Sequence, residues 1–229
     1  MKRYDNERVL LFGDTHAPYQ HKYTLDFLKI IKEEYNPDRV VHMGDLLDIY
    51  SVSDYPKDIE HPDTWSIELK KGRSFVKQLA NLFPEMVLLE SNHDSRAYRK
   101  SRVSGIPREF LVKYMDVIGA PEGWKLQKEL KITVDSTRDK WLFSHTLNGG
   151  SVVAAQASGR SVALGHTHTK FGISNFAVGT KRMWAVDTGC LISNKGAPFR
   201  YNKLNVLKPV RGAVMIVGGV PIILPLLKS

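Results

Sequence analysis

The sequence predicts an α/β fold in which two mixed β-sheets pack as a sandwich flanked by helices. Three observations predict it. The first half alternates short apolar runs with amphipathic helical stretches in a β-α-β-α-β order, which requires parallel strands joined by right-handed crossovers. The second half turns to closely spaced strand-like runs separated by glycine turns, enough for another sheet. The 229 residues, 42% hydrophobic and 25% charged, suit one soluble domain spanning 1–229 with a real core.

Arg8–Phe12 is the first apolar run, ending at Gly13. Thr24–Tyr35 places Leu25, Leu28 and Ile31 on one helical face, with Phe27 and Ile30 alongside, and Asn36-Pro37 stops it. Arg39–Met43 is the next strand. Trp65–Phe83 reads as a helix with Leu69, Phe75, Val76 and Leu79 inward and Pro84 as terminator. Glu85–Glu90 is a third strand. Residues 94 to about 126 read as helical and irregular. Strands follow at Leu130–Val134, Lys140–Ser144, Ser161–Leu164, Lys170–Ala177, Lys181–Val186, Asn202–Val210, Gly212–Val217 and Val220–Leu226, with a short helix at Ser151–Ala157. Gly179-Thr180 and Gly218-Gly219 are hairpin turns.

The charged start has no apolar h-region, and no run reaches the ~18 residues of a membrane span. The single cysteine, Cys190, excludes an internal disulfide. The expected location is cytoplasmic. A net charge of +9 reads either as an ordinary solvated basic surface or as attraction to phosphate-bearing polyanions.

Five short polar strings each follow an apolar run: Asp14-Thr15-His16, Gly44-Asp45-Leu46-Leu47-Asp48, Asn92-His93-Asp94, Ser144-His145 and Gly165-His166-Thr167-His168. Five of the eight histidines fall inside them. In α/β sheets the strand C-termini are where ligands gather. Asp14 and His16, and likewise His166 and His168, are two apart and face one way in extended chain. Each string alone also reads as turn chemistry. Asp48 suits either a carboxylate that orients a histidine or a helix-start acid favoured by the dipole. Asn92 is a neutral, hard oxygen donor. That leaves His93 free for proton work, with Asp94 able to fix its tautomer. His42 reads as a satisfied core histidine, and His21 and His61 carry no role. Together the strings supply ligands for two divalent ions about 3.5–4 Å apart, the spacing used against phosphate esters.

In order, spacing and residue types, these strings resemble the calcineurin-like metallophosphoesterase family, whose pattern is Asp-x-His, Gly-Asp-x-x-Asp, Gly-Asn-His-Asp/Glu, a His and Gly-His-x-His. The resemblance implies a four-layer αββα fold and a metal-dependent phosphoric ester hydrolase. It implies one ion on Asp14, His16, Asp45 and His168, and another on Asp45, Asn92, His145 and His166, with Asp45 bridging. His93 becomes the phosphate-side histidine, a general acid or charge stabiliser. The mixed O/N donors suit Mn first, and are compatible with Fe, Zn, Ni, Co or Mg. Three positions depart from the pattern. Ile49 stands where the protein-phosphatase branch places an arginine, Ser91 where a glycine is usual, and Thr146 where glycine is frequent.

The stretch Ser95-Arg96-Ala97-Tyr98-Arg99-Lys100-Ser101-Arg102 sets four cations and one aromatic beside the third string. It reads either as a solvated helix face or as a grip on nucleic-acid or nucleotide phosphates, with Arg96, Tyr98 and Arg99 as candidate substrate contacts. Lys195, Arg200, Tyr201, Lys203 and Lys208 add charge and an aromatic later. The expected substrate is therefore DNA, RNA or a nucleotide. The competing expectations are a small-molecule phosphomonoesterase or phosphodiesterase and a non-catalytic scaffold of the same fold.

Overall fold

The structure is a computed structural model that describes residues 7–54, 64–134, 140–194 and 206–227. In chain order the elements are β1 (Arg8–Phe12), α1 (Thr24–Tyr35), β2 (Arg39–His42), α2 (Trp65–Leu82), β3 (Met86–Leu89), α3 (Arg96–Val103), α4 (Tyr114–Ile118) and β4 (Trp124–Gln127). There follow β5 (Glu129–Thr133), β6 (Lys140–Ser144), α5 (Gly150–Ser158), β7 (Ser161–Leu164), β8 (Phe171–Val178), β9 (Lys181–Thr188), β10 (Gly212–Val217) and β11 (Val220–Pro225). Two 3-10 turns, Tyr50–Val52 and Arg108–Phe110, complete the set.

One sheet has the order β11-β10-β1-β2-β3-β4 and the other β5-β6-β7-β9-β8. β1 to β4 run parallel, while β10 and β11 join antiparallel at the β1 edge. In the second sheet β6, β7 and β9 are parallel, and β5 and β8 pair antiparallel at the edges. Both sheets are therefore mixed.

Side-chain alternation builds the layers. Val9 and Leu11 of β1 point into the space between the sheets, where they meet Trp141 and Phe143 of β6, Ala163 of β7 and Val186 of β9. Leu10 and Phe12 point the other way, onto Leu28 and Ile31 of α1 and Phe75, Val76 and Leu79 of α2. Strand period two thus serves two cores at once. α5 covers the far face of the second sheet through Ala154 and Ala155. The result is the four-layer αββα sandwich. No helix of the described residues is long and apolar enough to cross a membrane.

Helix ends follow local chemistry. α1 stops where Asn36 turns left-handed (φ 42°) and returns its N–H to the Lys32 carbonyl, just before Pro37. Ile30 lies on the exposed side of α1, off the face that buries Leu28 and Ile31.

Two expectations change. Trp124–Gln127 is a strand, parallel to β3, inside the stretch expected to be helical and irregular. Four residues are too few to show a period, but β3 offers them an open edge, and Trp124 anchors by donating Nε1–H to the Phe83 carbonyl at 2.8 Å. The strand expected at Asn202–Val210 is absent over 206–210, and 202–205 lie outside the described residues. Val206 and Leu207 are exposed there, and Pro209 has no N–H to give a ladder. The segment is instead tied by single bonds: Val210 N–H to the His168 carbonyl at 2.8 Å and Cys190 N–H to the Val210 carbonyl at 3.1 Å.

Candidate metal centre

Five parallel strands, β1, β2 and β3 in one sheet and β6 and β7 in the other, end on the same side of the sandwich. The five polar strings begin there. Asp14 and His16 follow β1, Asp45 follows β2, Asn92 and His93 follow β3, His145 follows β6, and His166 and His168 follow β7. The backbone that delivers them is unusual. Asp14 (φ 50°), His16 (φ 47°), Asp45 (φ 51°) and His166 (φ 67°) all sit in the left-handed region. Each such non-glycine residue costs of order 1–3 kcal/mol and persists where its surroundings over-determine it, most often at functional sites.

Two glycines make the approach of the strings feasible. A Cβ on Gly44 would come within 2.7 Å of the His145 ring, and Gly44 has φ +100°. A Cβ on Gly165 would lie 2.7 Å from Oδ2 of Asp14. Main-chain donors then aim the carboxylates. His166 N–H donates to both Asp14 oxygens at 3.1 Å, and His93 N–H to Oδ1 of Asp45 at 3.2 Å.

One donor atom each from Asp14, His16, Asp45 and His168 lies within 4.8 Å of the others, and the same holds for Asp45, His145 and His166. Oδ1 of Asn92 joins the second group, 2.8 Å from Nε2 of His145. Asp45 belongs to both groups through Oδ2, which is 3.3 Å from Nε2 of His16 and 3.4 Å from Nε2 of His145.

The chemistry of this donor set fits cations. His16 gives Nδ1–H to Oδ2 of Asp48 at 2.9 Å, and His145 gives Nδ1–H to the Met43 carbonyl at 2.9 Å. Both Nε2 atoms are thereby turned to the cluster interior, where they meet oxygens or other imidazole nitrogens. Nε2 of His168 is 3.1 Å from Nε2 of His16, and Nδ1 of His166 is 3.2 Å from Nε2 of His145. Asp14 and Asp45 are fully buried, and among the described residues their ion-pair partners are imidazoles alone. Buried carboxylates need compensating positive charge. In the metal-free protein protons provide it. Burial lowers the pKa of His16, but hydrogen bonds to Asp45 and Asp48 carry it up to about 10. Burial likewise opposes the charge on His145, and Asp45 brings it to about 9. Burial disfavours the charged forms of Asp14 and Asp45, yet His168 holds the Asp14 carboxyl, and His145 the Asp45 carboxyl, below the ordinary range.

Asp48 grips His16, so its carboxylate has the contact expected of an orienting group. Another expected role changes. Asp94 does not reach His93. Its Oδ2 accepts from the Ser91 hydroxyl at 2.7 Å and its Oδ1 from the Tyr114 hydroxyl, because the turn after β3 points it back toward α4. Burial raises its pKa to about 6. The tautomer of His93 is set elsewhere. Nδ1 lies 2.7 Å from the Asp48 carbonyl, which only accepts, and Nε2 lies 3.1 Å from NH2 of Arg96, which only donates. These partners suit a ring with its proton on Nδ1. Burial, with His16 nearby, lowers its pKa to about 4.

Arg96 gives NH1 to the carbonyls of Asp48 (3.0 Å) and Ile49 (3.2 Å). A guanidinium from α3 thus stands on the backbone of the position where the sequence shows isoleucine. Arg99 is exposed and donates NH2–H to the Asn92 carbonyl at 2.9 Å, which steadies the ligand turn. Tyr98 is half-buried on α3 and contributes its carbonyl to the Ser101 hydroxyl. Lys100 pairs with Asp54 at 2.7 Å. Lys195, Arg200, Tyr201 and Lys203, like His61, lie outside the described residues.

His42 is fully buried against Thr15, 3.2 Å from its hydroxyl. Ser91 stays out of the left-handed region, so the missing glycine is harmless. Glu68 of α2 was not singled out in the sequence. Its carboxylate accepts the Tyr50 and Ser51 N–H groups at 2.7 and 2.8 Å and pins the turn that follows Asp48. Its signal was an acid on the stripe of Gly72, Phe75, Val76 and Leu79, the buried face of α2. Above the cluster lies a cleft of about 340 Å³ lined by Asp45, Asn92, His93, His166, Thr167, His168, Thr169 and Pro209.

Over residues 7–170 the sequence matches the family described as Calcineurin-like phosphoesterase. The Gene 54 protein of Mycobacterium phage L5 is 24% identical over 223 residues, covering 85% of this chain and 83% of that protein. The Gene 54 protein of Mycobacterium phage D29 is 26% identical over 222 residues, with the same coverage. Among solved structures, Yfce, a phosphoesterase from E. coli, gives a TM-score of 0.44 at 13% identity, covering 91% of this chain and 87% of that one.

Proposed function

Since the chain belongs to the calcineurin-like phosphoesterase family, we propose that it is a dinuclear metal-dependent hydrolase of phosphate esters, acting on nucleic acid or nucleotides. One ion would be held by Asp14, His16, Asp45 and His168, the other by Asp45, Asn92, His145 and His166, and the donors would suit Mn²⁺. The observation that carries this reading is the position of Oδ2 of Asp45 between two histidine nitrogens from opposite sheets, 3.3 and 3.4 Å away. Two such cations supply an activated water and offset the charge of an in-line displacement at phosphorus.

The remaining work belongs to the chain itself. Asp48 keeps Nδ1 of His16 protonated, so Nε2 points inward. The Met43 carbonyl does the same for His145. Asn92 adds an uncharged oxygen, which limits the negative charge gathered around Asp45. His93 walls the cleft on the phosphate side. The formal charge of +9 and the basic helix α3 beside the cleft favour a polyanionic or nucleotide substrate.

A cleft of about 340 Å³, near the lower end of small-ligand sites, supports the second reading, a small-molecule phosphomonoesterase or phosphodiesterase. The test is turnover of p-nitrophenyl phosphate, its bis ester and end-labelled DNA by the Mn²⁺-loaded protein. Cleavage of DNA and the bis ester is the expected result. Turnover of the monoester alone favours the second reading. Inactivity on all three with metal bound makes the protein a scaffold.

A further inference from the structure

Ile49 stands in a backbone conformation that its side chain opposes. Its φ of 57° and ψ of 39° are left-handed. The other non-glycine residues with positive φ among the described ones are Asp14, His16, Asn36, Asp45 and His166, all of types that enter this region more readily. A side chain branched at Cβ is a steric outlier there. Ile49 follows Asp48 directly, so the path of the chain at Ile49 governs how Asp48 is presented. Asp48 serves the centre twice. Its Oδ2 accepts from Nδ1 of His16 at 2.9 Å, and its carbonyl lies 2.7 Å from Nδ1 of His93.

Helix α2 holds this turn from across the chain. Tyr50 and Ser51 open a 3-10 turn. Their N–H groups precede its first internal bond, which runs from Val52 N–H to the Ile49 carbonyl at 3.2 Å. Glu68 takes both, Oε1 from Tyr50 at 2.7 Å and Oε2 from Ser51 at 2.8 Å. It is 2% exposed, and each carboxylate oxygen makes one charge-assisted bond. Arg96 holds only the carbonyls of Asp48 and Ile49. One helical turn beyond Glu68, Gly72 leaves room for Leu47: a Cβ there would come within 2.8 Å of Leu47 Cδ2. Residues four apart share a helix face, so α2 receives the chain on both sides of Asp48.

We propose that Glu68 is a positioning residue of the metal centre: by clamping the Tyr50 and Ser51 N–H groups it keeps Ile49 left-handed and so aims Asp48 at His16. The inference rests on the dinuclear phosphoesterase reading. Among the described residues Glu68 bonds to none of the metal-ligand side chains. Its effect passes through the backbone of the turn to Asp48, and from Asp48 to the ring that would hold an ion. Both groups facing Glu68 are donors, so a carboxylate is required. An amide of the same shape turns an N–H against one of them and leaves Ile49 to its own preference for negative φ.

The test is calorimetric titration of Mn²⁺ into the full chain. Glu68→Gln should weaken one of the two binding steps by about tenfold, the low end of the range for losing a group that orients a ligand. Circular dichroism should keep the wild-type spectrum. Glu68→Asp, one methylene shorter, should fall between, and it carries the test if Glu68→Gln does not fold. Ile49→Gly added to Glu68→Gln should recover most of the affinity, because glycine holds a positive φ without help, while the lost side chain lowers the melting temperature further. A role in stability alone predicts the reverse, wild-type affinity in Glu68→Gln and no gain from the glycine. Lys77→Ala, on the exposed side of α2, should match wild type. Wild-type affinity in a folded Glu68→Gln, or a deficit that Ile49→Gly leaves unrepaired, overturns the proposal and leaves the phosphoesterase reading intact. A wild-type chain that binds no Mn²⁺ overturns both.

Discussion

Oδ2 of Asp45 stands 3.3 Å from Nε2 of His16. The same oxygen stands 3.4 Å from Nε2 of His145, which comes from the other sheet. One carboxylate oxygen thus ties the C-terminal ends of β1, β2 and β6 together. Asp45→Asn keeps the size of this side chain but removes its charge. Metal-stimulated hydrolysis should fall to background while circular dichroism keeps the wild-type spectrum. Unaltered turnover would contradict the bridging role.

Asp48 acts at one remove, through its 2.9 Å bond to Nδ1 of His16. Such outer partners fix the ring and raise its basicity, and losing one costs about 10–100-fold in metal affinity. Asp48→Ala should weaken Mn²⁺ binding by that factor in calorimetric titration. Wild-type affinity would reduce Asp48 to a bystander.

Gly165 tests the packing of the centre. Its backbone needs no positive φ, so the effect of Gly165→Ala is steric: the added methyl would sit 2.7 Å from Oδ2 of Asp14. Overpacking of this kind costs about 1–3 kcal/mol, and here it pushes a carboxylate out of line. Denaturant unfolding should show the loss, and metal titration should show weaker binding. A variant with unchanged metal affinity would mean that Asp14 tolerates displacement.

Cys190 reports on the wall behind the site, where Leu191 N–H donates to the Asp14 carbonyl at 3.0 Å. Burial pushes its thiol up to about 12. A group raised in the folded state stabilises the fold while protonated, and that contribution fades as pH climbs from about 9 toward 12. At pH 8 the native protein should resist disulfide-exchange reagents and react fully once unfolded. Rapid native labelling would show that this wall opens.

Much of this architecture was legible in the sequence because the signals were local. The strands Arg8–Phe12, Lys140–Ser144 and Ser161–Leu164 announce themselves as apolar runs that end in polar strings. Asn36-Pro37 and Pro84 punctuate helices by backbone chemistry alone. What stayed hidden depends on partners distant in the chain. Trp124–Gln127 is a strand because β3 leaves an edge, and no four-residue pattern says so. Asp94 and His93 are neighbours in sequence, yet the turn after β3 sends one to Tyr114 and the other to the Asp48 carbonyl. The identity of the atom facing each ring nitrogen decides which proton His93 carries, and residue order does not encode it. Glu68 was detectable as an acid on a buried stripe, but its target, the turn after Asp48, was not.

The account depends on seven side chains closing around two ions. Anomalous diffraction from a Mn²⁺-soaked crystal tests this most directly. Two peaks about 3.5–4 Å apart, both in contact with Asp45, with Asp14, His16 and His168 on one and Asn92, His145 and His166 on the other, are the predicted result. A lone peak, or peaks that leave Asp45 unengaged, would contradict it.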